Sequence, residues 1–122
     1  LPTATKEEIE EFLYEVRKTS RKSFHLRSKK ENRETITELG YTQNDVINEI
    51  CSLSPRDYSE GPSPEYGTSN EIWIFGRIIQ GKEVYIKIKL IGMNNSGEEF
   101  DTVYCLSFHF ARECLNYPHK KF

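Results

Sequence analysis

The sequence predicts an α+β fold in which N-terminal helices pack on an antiparallel β-meander. Three observations carry that prediction. Apolar residues recur at helical spacing in the first third of the chain, three segments of the second half alternate apolar and polar residues, and turn residues separate those segments. Helices first and strands afterwards mark an α+β arrangement, since a doubly wound parallel sheet needs the two to alternate.

Thr5-Lys6-Glu7-Glu8 forms a capping box, with a Thr oxygen for an orphan N–H and a Glu three residues on to return the bond. Ile9, Phe12, Leu13 and Val16 follow on one face, so residues 5 to about 19 should be an amphipathic helix. "SFHLRS" (23–28) reads as a short strand, and "ENRETITELG" as a helix stopped at Gly40. "TQNDVINEICSL" predicts a second capped helix that buries Val46, Ile47 and Ile50. Residues 54–70, "SPRDYSEGPSPEYGTSN", hold two Gly, three Pro and four Ser, a composition that predicts irregular structure for most of the stretch. Three strands follow at 71–79, 83–90 and 102–110. Gln80-Gly81-Lys82 makes a tight hairpin and "GMNNSGEE" a looser link.

A chain of 122 residues suits a single domain, 1–122, with one core. Its 36% apolar and 30% charged residues are ordinary for a soluble globular protein. No apolar run approaches the roughly 20 residues of a membrane span, and the polar, acidic first residues do not read as a signal peptide. Cys51, Cys105 and Cys114 are odd in number and never spaced as CxxC, which points to a reducing cytoplasm. Net charge is −2, yet residues 17–33 hold eight Lys/Arg against one acid, a local excess of +7 on a body of −9. Such a segment attracts polyanions locally. Arg21, Lys22, Lys29, Lys30 and, further on, Arg56 are therefore candidate RNA contacts. The plainer alternative is a solvated helix end and loop.

The strand "EVYIKIKL" (83–90) sorts its side chains by parity: Val84, Ile86 and Ile88 to the core, Tyr85, Lys87 and Lys89 to the other face. In the last strand, Tyr104, Leu106, Phe108 and Phe110 form the more apolar row, which leaves Ser107 and His109 beside Tyr85 and Lys87. These four are expected to converge on one exposed concavity beside residues 54–70, with Arg77 at its rim. The set suits phosphodiester chemistry. A histidine exchanges protons near neutrality, Lys and Arg stabilise a phosphorane's negative charge, and Tyr donates a hydrogen bond or stacks on a base. No metal or other cofactor is required if RNA attacks itself through its 2′-hydroxyl. Each residue also has a plainer role: lysines on a strand face aid solubility, Tyr85 packs, Trp73 and Phe75 belong to the core, and His119 lies in a C-terminal tail expected to be disordered.

The order of several segments resembles the MqsR family of bacterial toxin ribonucleases. "LGYTQNDVINEICSLSPRDYSEG" (39–61) is similar to that family's helix and following loop. Trp73, "GKEVYIKIKL" and "LSFH" resemble its later strands, so the likeness spans about residues 39–109. It implies a RelE-like fold, metal-independent cleavage of mRNA, and neutralisation by a cognate antitoxin protein. Tyr85 matches the family's active-site Tyr, and His109 stands where the family has Lys. Glu60 stands at another family Lys, and Ile74 at a Gln. Arg77, Arg56 or Lys87 would then supply the charge missing at Glu60, and Glu60 would orient His109 or act as a base. The catalytic set expected for an mRNA interferase is His109, Tyr85, Lys87 and Arg77. A non-catalytic RNA- or protein-binding module of the same fold is the alternative, and Glu60 and Ile74 are the residues that favour it.

Overall fold

Residues 2–92, 97 and 99–120 are described by this computed structural model. Helix α1 (Lys6–Ser20) begins at the predicted capping box, in which Thr5 Oγ1 accepts the Glu8 N–H at 3.1 Å and Glu8 Oε1 accepts the Thr5 N–H at 2.8 Å. Strand β1 (Phe24–Leu26) precedes α2 (Lys30–Leu39), which ends on Gly40 in the left-handed conformation. A second capping box, Thr42 with Asp45, starts α3 (Gln43–Cys51). A 3₁₀ turn (Pro55–Asp57) leads into β2 (Tyr58–Pro64), β3 (Glu71–Ile79), β4 (Lys82–Ile91) and β5 (Thr102–Phe110). The expected tight hairpin joins β3 to β4, with Gln80 and Gly81 both at positive φ, as a two-residue turn matched to strand twist requires. Most of the looser link expected over 92–99 lies outside the described residues.

The architecture is α+β: three α-helices and one five-stranded sheet in the order β1-β5-β4-β3-β2. The antiparallel meander β3-β4-β5 forms its centre, and β1 pairs parallel to β5, so the sheet is mixed. Val84, Ile86 and Ile88 of β4 lie in the core with Ile9, Leu13 and Val16 of α1 and Val46 and Ile50 of α3. Phe12 stacks on Trp73 with ring centroids 4.3 Å apart, which makes Trp73 a core residue. Among the described residues, no helix is long and apolar enough to cross a membrane.

Three expectations need correction. Residues 54–70 are not mainly irregular, because β2 occupies Tyr58–Pro64. Proline lacks a donor but is tolerated on an edge strand, and β2 is an edge strand that shifts register twice against β3. Gly61 sits at φ 112° where a Cβ would meet Ile72 O at 2.6 Å, so the glycine permits the pairing that its composition argued against. The tail is held as far as Lys120: Tyr117 donates to Glu83 at 2.6 Å, and His119 Nε2 lies 2.8 Å from Ala4 O. The third correction concerns β5. A bulge opposite Lys87/Ile88 switches its parity, so Val103 and Cys105 join Phe108 in the core, and Tyr104 turns to the other face.

Tyr41 links α3 to the chain before it by donating to the Glu49 carboxylate, and that bond raises the phenol's pKa to about 12. A raised folded-state pKa stabilises below the ordinary tyrosine value, and the contribution is lost as pH climbs from there towards 12. Tyr41→Phe should therefore flatten the alkaline decline of stability in urea titrations at stepped pH. An unchanged decline would show that other groups cause it.

Candidate functional site on the open sheet face

The sheet face turned away from α1 and α3 carries two rows of paired residues. One runs Glu60–Ile74–Lys87–Ser107 across β2 to β5, and the next runs Gly76–Tyr85–His109. Alternation in β3 and β4 sets the first positions of each row, and the β5 bulge brings Ser107 and His109 into step with them. Tyr85 and His109 stack at 5.3 Å between centroids and 19° between planes.

The outer edge of β5 explains what else arrives here. Its first half pairs with β1, and α2 covers its second half. Asn32, 1% exposed, accepts the Phe108 N–H at 2.9 Å and donates to Leu106 O (3.2 Å) and Arg27 O (3.0 Å). Thr35 Oγ1 accepts the Phe110 N–H at 3.1 Å. Two side chains of a helix thus satisfy backbone groups that a neighbouring strand would otherwise pair. Docked this way, the start of α2 delivers Lys29, whose Nζ donates to Ser107 Oγ at 2.9 Å, and Glu31, whose carboxylate lies 3.9 Å from His109 Nε2 and pairs with Arg112.

Lys29, Glu31, Tyr85, Lys87, Ser107 and His109, with tail residues 112–115, line a concavity of about 480 Å³, a volume within the usual range of small-ligand sites. The tail then crosses the face at Gly76, where a Cβ would stand 2.3 Å from both Leu115 and Tyr117. His109 Nδ1 lies 3.0 Å from Phe110 O. A carbonyl only accepts, so in the neutral ring Nδ1 carries the hydrogen and Nε2 offers its lone pair. Burial, with a smaller effect of Glu60, raises the Tyr85 pKa, which keeps the phenol a neutral donor. Among the described residues Lys87 forms no ion pair, and no three His, Cys, Asp or Glu gather as a metal-holding group.

Tyr85, Lys87, Ser107 and His109 therefore converge, but their neighbours differ from expectation. The N-terminus of α2 and the tail bound the concavity, not residues 54–70. Arg77 is not at its rim. It shares parity with Trp73 and Phe75 and pairs on the helix side with Glu49 and Asp57, each at 3.0 Å, while also donating to Ser52 O at 3.0 Å. That parity was readable in "WIFGR", and Arg77 is a clamp between β3 and α3. Glu31, not Glu60, faces His109, because Ile74 and Lys87 separate Glu60 from β5. Helix docking brings Glu31 and Lys29 in, which strand parity cannot signal.

The basic residues do not form one patch. Only Lys29 reaches the concavity. Arg21 and Lys22 line a separate depression with Lys18 and Glu99, where Lys22 donates to Phe100 O at 2.5 Å. Lys30 pairs with Glu34 at 3.9 Å, and Arg56 lies near Tyr117 and Lys120 in another depression. Lys89 is 8% exposed and bound to Glu65 at 2.7 Å, a bond that also holds the Glu65 carboxyl below its usual range. Comparison with models of protein families, with curated proteins and with solved structures returns no match for this chain.

Proposed function

We propose that this protein is a metal-independent endoribonuclease, the toxin of a toxin–antitoxin pair, with mRNA as substrate and a RelE-like arrangement of its α+β fold. The reading is that of an MqsR-like toxin. The observation that carries it is the stacked Tyr85–His109 pair set beside Lys29, Lys87 and Ser107 on an open sheet face. His109 Nε2 takes the proton of a ribose 2′-hydroxyl as that oxygen bonds to the adjacent phosphorus. The P–O5′ bond breaks, leaving a 2′,3′-cyclic phosphate and a 5′-hydroxyl protonated from solvent. Lys29 and Lys87 offset the phosphorane's negative charge, and the neutral Tyr85 holds the imidazole plane and donates to a phosphate oxygen.

Incubation with RNA in excess chelator should yield 2′,3′-cyclic phosphate ends, while DNA of the same sequence stays intact. Absence of cleavage under conditions where a related toxin cuts would remove the catalytic reading. Lys87→Gln should then lower the cleavage rate by about a hundredfold, as loss of one transition-state donor does. It should also reduce the slope of log affinity against log salt by about 0.7, the value for one phosphate contact to a single strand. An unchanged salt slope would place Lys87 away from the phosphates.

A second reading is a non-catalytic module of the same fold that binds RNA or a protein partner. The alignment of Glu60 and Ile74 in one row with Lys87 favours it, because these are the positions where MqsR toxins carry Lys and Gln. A short neighbouring open reading frame for an antitoxin would favour the toxin reading over it.

A further inference from the structure

We propose that the same sheet face holds a second nucleotide site, built on Tyr104, which stacks one base of a single-stranded RNA whose scissile phosphate lies at His109. The proposal rests on the ribonuclease reading for its ligand, but on different residues for its evidence. His25, Tyr104 and Lys89 are direct cross-strand partners on β1, β5 and β4, forming a third row of the open face. The His25 and Tyr104 rings lie 4.7 Å apart between centroids. The Arg27 guanidinium lies 5.5 Å and the Lys89 ammonium 5.3 Å from the Tyr104 ring centre.

The two cations differ in what they have left to offer. Lys89 is buried and neutralised by Glu65, so it serves to hold the ring. Arg27 is exposed, forms no ion pair among the described residues, and has Tyr104 as its side-chain partner. His25 is exposed as well. An imidazole, a phenol ring and a free guanidinium plane side by side are the surfaces on which unpaired bases stack, and the guanidinium adds attraction for the phosphate that follows. A core role does not explain the group, since it stands on the face away from the helices. Solubility does not call for two aromatic rings beside an arginine.

Spacing fits one continuous strand. Tyr85 and Lys89 are four residues apart on β4, about 13 Å at the usual rise, a distance that a few nucleotides cover. Lys29, at the start of α2, donates to Ser107, which lies on β5 between Tyr104 and His109, where a connecting phosphate would pass. RNA would then run along β4 and β5, with its reacting phosphate at Tyr85–His109 and one base on Tyr104.

The test uses a fluorescent single-stranded RNA carrying a 2′-deoxy sugar at the mapped cut site, with affinity read by anisotropy. If no cut site can be mapped, an unmodified single-stranded RNA serves as the probe. Tyr104→Ala should weaken binding by about tenfold, and Tyr104→Phe should stay close to wild type because the ring persists. Arg27→Ala should weaken it too, with a shallower salt dependence. On cleavable RNA, Tyr104→Ala should raise KM while leaving kcat near wild type, and on a dinucleotide too short to reach from His109 to Tyr104 it should match wild type in both. Wild-type affinity in Tyr104→Ala would overturn the proposal, as would failure of the unmutated protein to bind single-stranded RNA. Binding with the predicted Tyr104 pattern but no cleavage would uphold the stacking site while removing the ribonuclease reading.

Discussion

His109→Ala is expected to slow RNA cleavage by roughly two to four orders of magnitude, the usual worth of a positioned general base, without loss of the fold. The imidazole is the one group of the concavity whose free lone pair is identified by geometry, since the Phe110 carbonyl takes the hydrogen at Nδ1. Its removal leaves Tyr85 without a stacking partner but opens no cavity in the core cluster, to which His109 does not belong. Circular dichroism and Tm should therefore stay near wild type while the single-turnover rate collapses. A His109→Ala protein that cleaves at the wild-type rate would move the chemistry away from this face. Tyr85→Phe provides the contrast: the ring stack remains, one donor is lost, and the expected loss is smaller.

Replacing Asn32 with Ala should cost about 3 kcal/mol of stability, because the Phe108 N–H and the Leu106 carbonyl lose a buried partner and each unmade bond costs about 1–3 kcal/mol before any relaxation. In a domain of this size that corresponds to a Tm lowered by about 12 °C. The effect should also reach the site, since Asn32 ties α2 to the β5 edge and α2 carries Lys29 and Glu31. Below its melting range the variant should bind RNA more weakly and with a shallower salt dependence, as Lys29 loses its place against Ser107. Thr35→Ser, which keeps the oxygen that accepts the Phe110 N–H, should be mild. An Asn32→Ala protein as stable as wild type would mean that water replaces the side chain, and that α2 is anchored by other contacts.

Much of the fold is legible from local chemistry. Thr5 with Glu8, and Thr42 with Asp45, announce helix starts that close as hydrogen-bonded boxes. The alternation in β4 assigns Val84, Ile86 and Ile88 to the core and Tyr85 and Lys87 to the open face without any knowledge of the partner strands. Within β3 the same rule puts Arg77 beside Trp73 and Phe75 on the helix side, where Glu49 and Asp57 hold it away from the rim. Strand β2 escaped because composition speaks against Gly-Pro-rich strands, whereas an edge position leaves backbone donors unneeded.

Side-chain periodicity and capping act over a few residues, so they are enough to establish the helices, the meander, and which side of β4 faces solvent. Features that depend on residues far apart in sequence are decided by packing. The β5 bulge switches Tyr104 from the expected core row to the open face and keeps His109 in step with Tyr85. The docking of α2 through Asn32 brings Lys29 and Glu31 across more than seventy residues of chain to Ser107 and His109. The tail's passage over Gly76 closes one side of the concavity. In the last two cases the cause is an unpaired backbone group or a gap that one segment cannot fill from its own residues. A distant segment fills it, and the site is assembled from what that segment carries.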